Sequence, residues 1–171
     1  MLNERMTEGV TQDERNWAML AHLTALLTVF TAVATGGPGY IVALLVPLAL
    51  YLYFSGRSEY AAYHALQATV FQALAGIVYV VVAALAGTVI ATAWAVTGVL
   101  TVVLVGVALV PVAFGLTLIA AVELLGLPVL LVAYALRGAF LVSEGHEFAY
   151  PLVGEVVARS LRRGGGVATN T

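Results

Sequence analysis

The chain has 171 residues, of which 62% are hydrophobic and only 9% charged, with a net charge of −2. Soluble domains carry about 25% charged residues, so this chain lacks the charge to coat a water-facing surface and takes a bilayer as its solvent. The basic residues are all arginine and do not outnumber the acids, which excludes a nucleic-acid footprint, and the lack of cysteine excludes disulfides, thiolate metal sites and thiol nucleophiles.

Residues 1–16 are polar and read as a short N-terminal tail. From Trp17 to Thr35 the chain is apolar apart from His22 and four threonines. About 20 residues cross about 30 Å of hydrocarbon, so this segment is one span. "AVA" at 32–34 has the form of a signal-peptidase site, but the acidic tail and the long apolar run favour an uncleaved span. "GGPG" at 36–39 marks a turn, and Tyr40–Phe54 is a second, shorter apolar run with aromatics near its ends. "SGRSEY" at 55–60 is a polar return.

Residues 61–142 form one apolar block in which His64, Glu123 and Arg137 are the only ionisable side chains apart from tyrosines. It is too long for one helix crossing a bilayer. Breaks are expected at 92–98, at Pro111 or at "ELLGLP" (123–128). An even number of spans puts every arginine on one side and leaves "GGPG" and the 92–98 turn without any, in keeping with the cytoplasmic bias of basic residues. The reading is an all-α polytopic bundle of four spans, five being the alternative. The transmembrane domain covers residues 17–142, and both termini lie in the cytoplasm of a prokaryote with the inner membrane as the site.

After the last span, residues 143–163 form a juxtamembrane loop and a short helix opened by Pro151. Leu152, Val153, Val156, Val157 and Leu161 share one face of it, which suits a membrane surface. Arg137, Arg159, Arg162 and Arg163 are the expected membrane-surface arginines, Arg137 by snorkelling. Residues 164–171 are a flexible tail.

Polar side chains inside the spans carry the functional reading. In "EYAAYHALQATVFQ" (59–72), Tyr60, His64, Gln67 and Phe71 share a helical face, and His64, Ala68 and Gln72 form a second row through His64. His22 lies at a comparable shallow depth in the first span. Lipid cannot satisfy such groups, so His22, His64, Gln67 and Gln72 are expected to form a polar interhelical cluster. Its use is either to order the bundle or to meet a solute, partner or water. Two histidines without a carboxylate make a poor metal site, and no metal or cofactor is expected. Glu144, His146 and Glu147 match no metal motif and read as a solvated loop. Glu123 is functional if it lies within the bilayer and merely hydrated if "ELLGLP" is a turn. Gly87, Ala91 and Ala95 make a small-residue line that permits close helix packing. No P-loop, H-E-x-x-H or G-x-S-x-G is present, so an enzyme is not expected.

Three ordered motifs resemble the Tic-twenty-like family of small bacterial membrane proteins, a domain of unknown function related to a chloroplast inner-envelope translocon subunit. They are Trp17, Ala18, His22 and Leu23; then His64, Ala65, Gln67, Ala68, Phe71 and Gln72; then Gly145, Tyr150, Pro151 and Leu152. The resemblance implies four spans with both ends on one side and a link with protein translocation. The interval from Gln72 to Gly145 exceeds that pattern by about one span's worth of residues. The expected function is a non-enzymatic scaffold or accessory subunit of a membrane complex, with the bilayer and a protein partner or second copy as partners. The alternative is a small transporter or channel with a polar path through His64, Gln72 and Glu123.

Overall fold

The computed structural model describes residues 9–151 and 153–165, with side chains described up to residue 160. Five α-helices and no strand occur among them: α1 Gln12–Thr35, α2 Gly39–Phe54, α3 Glu59–Thr101, α4 Val105–Ser143 and α5 Val153–Gly165. The lengths and hydropathies of α1, α3 and α4 make them candidate membrane spans, whereas α2, also apolar, has only 16 residues. At 1.5 Å per residue α2 rises about 24 Å, short of the ~30 Å hydrocarbon core. The chain is an integral membrane protein.

Each helix begins and ends for local reasons. Thr11 caps α1: its hydroxyl accepts from the Glu14 amide, and the Glu14 carboxylate accepts from the Thr11 amide. Asp13 and Glu14 sit at the positive end of the helix dipole. Gly36, left-handed at φ 67°, closes α1 by donating to Ala32 and Val33 carbonyls. The step into α2 is tight. The Thr35 hydroxyl accepts from the Gly39 amide at 2.7 Å, and a Cβ at Gly39 would lie 2.5 Å from the Thr31 carbonyl oxygen. The Ser58 hydroxyl accepts from the Ala61 amide at the start of α3 and donates to Glu14 Oε1 at 2.7 Å, so one side chain caps α3 and ties it to α1.

The block 61–142 resolves differently from expectation. Residues 92–98, Pro111 and "ELLGLP" all lie inside helices, and the break falls at 102–104. Glycine and proline are tolerated within lipid-exposed helices, because breaking a helix in hydrocarbon strands its backbone groups. The 43 residues of α3 and 39 of α4 rise about 65 and 58 Å, roughly twice the hydrocarbon thickness. Two long helices therefore hold the sequence for which three shorter spans were an alternative.

The chain divides into two compact units, one formed by the segments to Leu74 and from Leu131, the other by Ala75–Leu130. In the first, aromatic and aliphatic side chains from α1, α3, α4 and α5 share a core: Ala18, Tyr60, Tyr63, Val142, Phe148, Tyr150, Val153, Val157 and Ala158. The second is a hairpin of the later part of α3 and the earlier part of α4. Its buried positions are small: Ala86 and Thr97 on α3, Ala113 and Ala120 on α4. Gly87, Ala91 and Ala95 are exposed, so the small-residue line of the sequence is not the seam of this hairpin.

The C-terminal helix α5 is amphipathic, but its apolar face is used differently from expectation. Val153 and Val157 are buried in the core of the first unit, and only Val156 of the described apolar positions is exposed. The face read as membrane-binding is thus largely taken by the protein itself. Leu152 lies outside the described residues, as do the side chains of Leu161, Arg162 and Arg163.

Candidate functional site

The polar residues of α1 and α3 meet in the first unit. Ala18, Ala21, Ala25 and Thr28 on α1 and Ala65 and Ala68 on α3 are buried, and their small size lets the two helices approach closely. That approach brings His22 Nε2 to 3.1 Å from His64 Nδ1. His22 Nδ1 lies 2.9 Å from the Tyr150 hydroxyl. His22, His64, Gln67 and Gln72 all have no exposed surface.

Tyr150 arrives on the strap between α4 and α5. Its backbone amide donates to Gln67 Oε1 at 2.5 Å, and its ring stacks on Phe71 at 3.8 Å between centroids and 8° between planes. Phe148, on the same strap, meets the His22 ring edge-on. Gly138 makes room for it, since a Cβ there would lie 2.5 Å from the Phe148 ring.

The hydrogen bonds assign protons. Burial raises the Tyr150 phenol above its ordinary range, so it is a neutral hydroxyl, and His22 Nδ1 is its described acceptor. His22 then carries its proton on Nε2 and donates to His64 Nδ1, and His64 carries its own on Nε2. The reverse chain would leave the phenol proton unpaired as well as a bare imidazole nitrogen, at greater cost in a buried site. Because an amide N–H can only donate, Gln67 must present Oε1 to Tyr150, which fixes the orientation of its amide. Among the described residues, no hydrogen bond is made by His64 Nε2 or Gln67 Nε2.

A second set of bonds lies deeper along the same helices. Gln72 Nε2 donates to the Thr24 hydroxyl and Gln72 Oε1 accepts from the Thr28 hydroxyl, each at 2.8 Å. The Thr24 proton goes to the Ala21 carbonyl at 2.7 Å, so Thr24 has only lone pairs left for Gln72. The Tyr40 hydroxyl donates to the Gln72 carbonyl, which adds α2 to the junction.

The structure buries all four expected residues: His22, His64 and Gln67 meet through Tyr150, whereas Gln72 lies in the second set with Thr24 and Thr28. The two histidines bond each other, and His22 also bonds Tyr150. Tyr150, Phe148, Thr28 and Tyr40 were not singled out from sequence as cluster members. The only signal for Tyr150 was its place in the third ordered motif, 128 residues from His22. Glu123 is exposed inside α4, in the 75–130 unit. Arg137 is exposed within α4, and Arg159 is exposed and bonds Glu155 at 3.0 Å. His146 and Glu144 pair at 3.5 Å on the surface, and no group of three metal-ligating side chains among His, Asp and Glu occurs among the described residues.

The profile of the magnetosome magnetite crystal formation protein family (MamF/MmsF) matches residues 13–157. The chain belongs to that family. This corrects the Tic-twenty-like assignment, which gives no family match. The matched region contains all the residues that carried the resemblance, together with the 72–145 interval that departed from it. No curated protein and no solved structure matches the chain.

Proposed function

Proceeding from that membership, we propose that the chain is a non-enzymatic scaffold or accessory subunit of the membrane in which magnetite crystals form. The observation that carries this reading is the family match across residues 13–157. The buried network supports the non-enzymatic part of it. His22, His64 and Gln72 have no exposed surface, and their bonds run mainly between helices and to the strap. Such bonds order a bundle, whereas acid–base work requires a group within reach of a substrate. A scaffold also needs a partner or a second copy, and the exposed apolar surfaces of α1–α4 leave room for either within the bilayer. Both termini are read as cytoplasmic, with α2 as the fourth, short crossing.

Gene deletion in a magnetite-forming host tests the reading, with crystal dimensions measured by electron microscopy. Altered crystal size or number, restored by the wild-type chain, is the expected result. Crystals indistinguishable from those of the parent would overturn it. Copurification from mild detergent tests the scaffold role, which a strictly solitary chain contradicts. A transport path through His64, Gln72 and Glu123 has less support. The first two are fully buried and Glu123 belongs to a different compact unit.

A further inference from the structure

Two polar atoms in the core of the first unit are not used by the network around Tyr150. His64 Nε2 and Gln67 Nε2 make no hydrogen bond among the described residues, and neither side chain has exposed surface. The proton assignment makes both of them donors. His64 receives a proton from His22 at Nδ1 and so keeps its own on Nε2. Gln67 uses Oε1 to accept from the Tyr150 amide, so its two amide hydrogens point elsewhere. Three N–H bonds thus lie buried without an acceptor among the described residues. A buried donor left bare costs stability, and native cores seldom keep one.

The two donors lie on one side of α3, because residues three apart on a helix are neighbours. Each side chain is also fixed at its other end, His64 Nδ1 by His22 and Gln67 Oε1 by the Tyr150 amide. Neither can turn to a new partner without breaking a bond it already makes. The Tyr60 and Tyr63 rings meet the His64 ring edge-on at 4.6 and 5.1 Å between centroids, so much of its surround is aromatic carbon. The buried Tyr63 hydroxyl faces the Gln67 amide without reaching hydrogen-bond geometry at its nitrogen. Its own proton goes to the Gly154 carbonyl at 3.4 Å, which leaves lone pairs on the phenol oxygen. Polar groups that face each other beyond direct reach are commonly bridged by water.

We infer that one water molecule is held inside the first unit, accepting from His64 Nε2–H and Gln67 Nε2–H and donating to the Tyr63 oxygen. The class of ligand follows from the donors. Both are neutral, and no positive side chain takes part in the network, so a buried anion would be uncompensated at high cost. A neutral oxygen with two lone pairs and hydrogens of its own is satisfied there, and internal waters typically make about three such bonds. The water extends the hydrogen-bonded chain. It runs from Tyr150 through His22 and His64 to the water, then through Tyr63 to the Gly154 carbonyl on α5. Both ends fall on the C-terminal segment, so the strap and α5 are tied by one path that crosses α1 and α3.

The chain has three histidines and three glutamines, so labelling both residue types with nitrogen-15 gives few side-chain signals to assign. The full chain is reconstituted in lipid nanodiscs. Cross-relaxation between side-chain N–H protons and water is measured in the rotating frame, where dipolar contact and proton exchange have opposite signs. The expected result is a protonated His64 Nε2, with dipolar contacts to water from that proton and from the Gln67 amide. Gln72 is the internal reference, since its Nε2 and Oε1 are both bonded within the protein, and no water contact is expected there. A His64 without a proton on Nε2 overturns the inference, and so does a protonated Nε2 without contact to water. Contacts of equal strength at Gln72 overturn it too, because they mean water throughout the bundle and not one held molecule. His64 and Gln67 signals that move when chloride is replaced by bromide overturn it in favour of a bound anion.

Discussion

The two compact units solve the problem of helix association in lipid by different means. The unit formed by the segments to Leu74 and from Leu131 places polar side chains between its helices, with the Tyr150–His22–His64 chain and the Thr24–Gln72–Thr28 set. The Ala75–Leu130 hairpin has one side chain–side chain hydrogen bond between its arms, Trp94 Nε1 to Thr117 Oγ1 at 3.1 Å. The hydroxyls of Thr88 and Thr101 bond carbonyls of their own helix, those of Ala84 and Thr97. Between helices, lipid supplies no hydrophobic drive, so association rests on close packing and hydrogen bonds. Hydrogen bonds fix register because a one-residue slip strands both partners. Small-residue packing tolerates such a slip more readily.

The largest expected effect breaks the first means. His22→Leu keeps volume roughly constant but strands the Tyr150 hydroxyl and His64 Nδ1 together. Each stranded group costs about 1–3 kcal/mol, so a loss of about 2–6 kcal/mol is expected in detergent unfolding. A loss under about 1 kcal/mol would show that the histidine chain does not order the bundle. Next comes the close approach in the hairpin. Gly106→Ala places a methyl group 2.2 Å from the Thr97 carbonyl oxygen and 2.3 Å from the Thr101 amide nitrogen, both backbone atoms that cannot swing aside. Overpacking of this kind costs about 1–3 kcal/mol. An unchanged melting temperature would mean that the two arms do not meet there.

Gln72→Leu sharpens the contrast within the first unit. Although it removes two interhelical bonds, it strands little. Thr24 still donates to Ala21, and the single Thr28 hydroxyl proton, freed from Gln72, turns to the Thr24 carbonyl 3.0 Å away. Intramembrane side-chain bonds average about 0.6 kcal/mol, so a loss of about 1 kcal/mol is expected, well below that of His22→Leu. Equal losses would show that the count of bonds, and not the number of stranded groups, sets the cost.

Legibility from sequence divides along the same line. Apolar runs marked the helices, and the 3- and 4-residue spacing in "EYAAYHALQATVFQ" placed His64 and Gln67 on one face toward another helix. Those are local periodicities. Helix ends inside the 61–142 block were not legible, because Pro111, Gly126 and Pro128, which end helices in water, stay helical here. The actual break has a leucine at its left-handed residue and only Gly106 as a signal, one that matters through a contact with Thr97. Tyr150 was equally hidden as a partner of His22, since nothing in local spacing joins positions 128 apart. The family assignment failed for a related reason. Short motifs of tryptophan, histidine and glutamine record polar packing at a helix opening, and packing of that kind does not name a family. The surplus length between Gln72 and Gly145 was the feature that told against it.

The smallest effect tests the hairpin's outer face. Gly87 has nothing within 4 Å of where a Cβ would stand, and Ala91 and Ala95 on the same line are exposed. Within one chain, Gly87→Ala therefore creates no clash and removes the entropic weakness of glycine in a helix interior. The expected gain is about 0.5–1 kcal/mol. A second copy packed against this line would reverse the sign, because a close helix crossing needs the glycine. Unfolding measured at two protein concentrations separates the cases. A concentration-independent gain leaves the line facing lipid, whereas a loss that grows on dilution makes it a contact between chains.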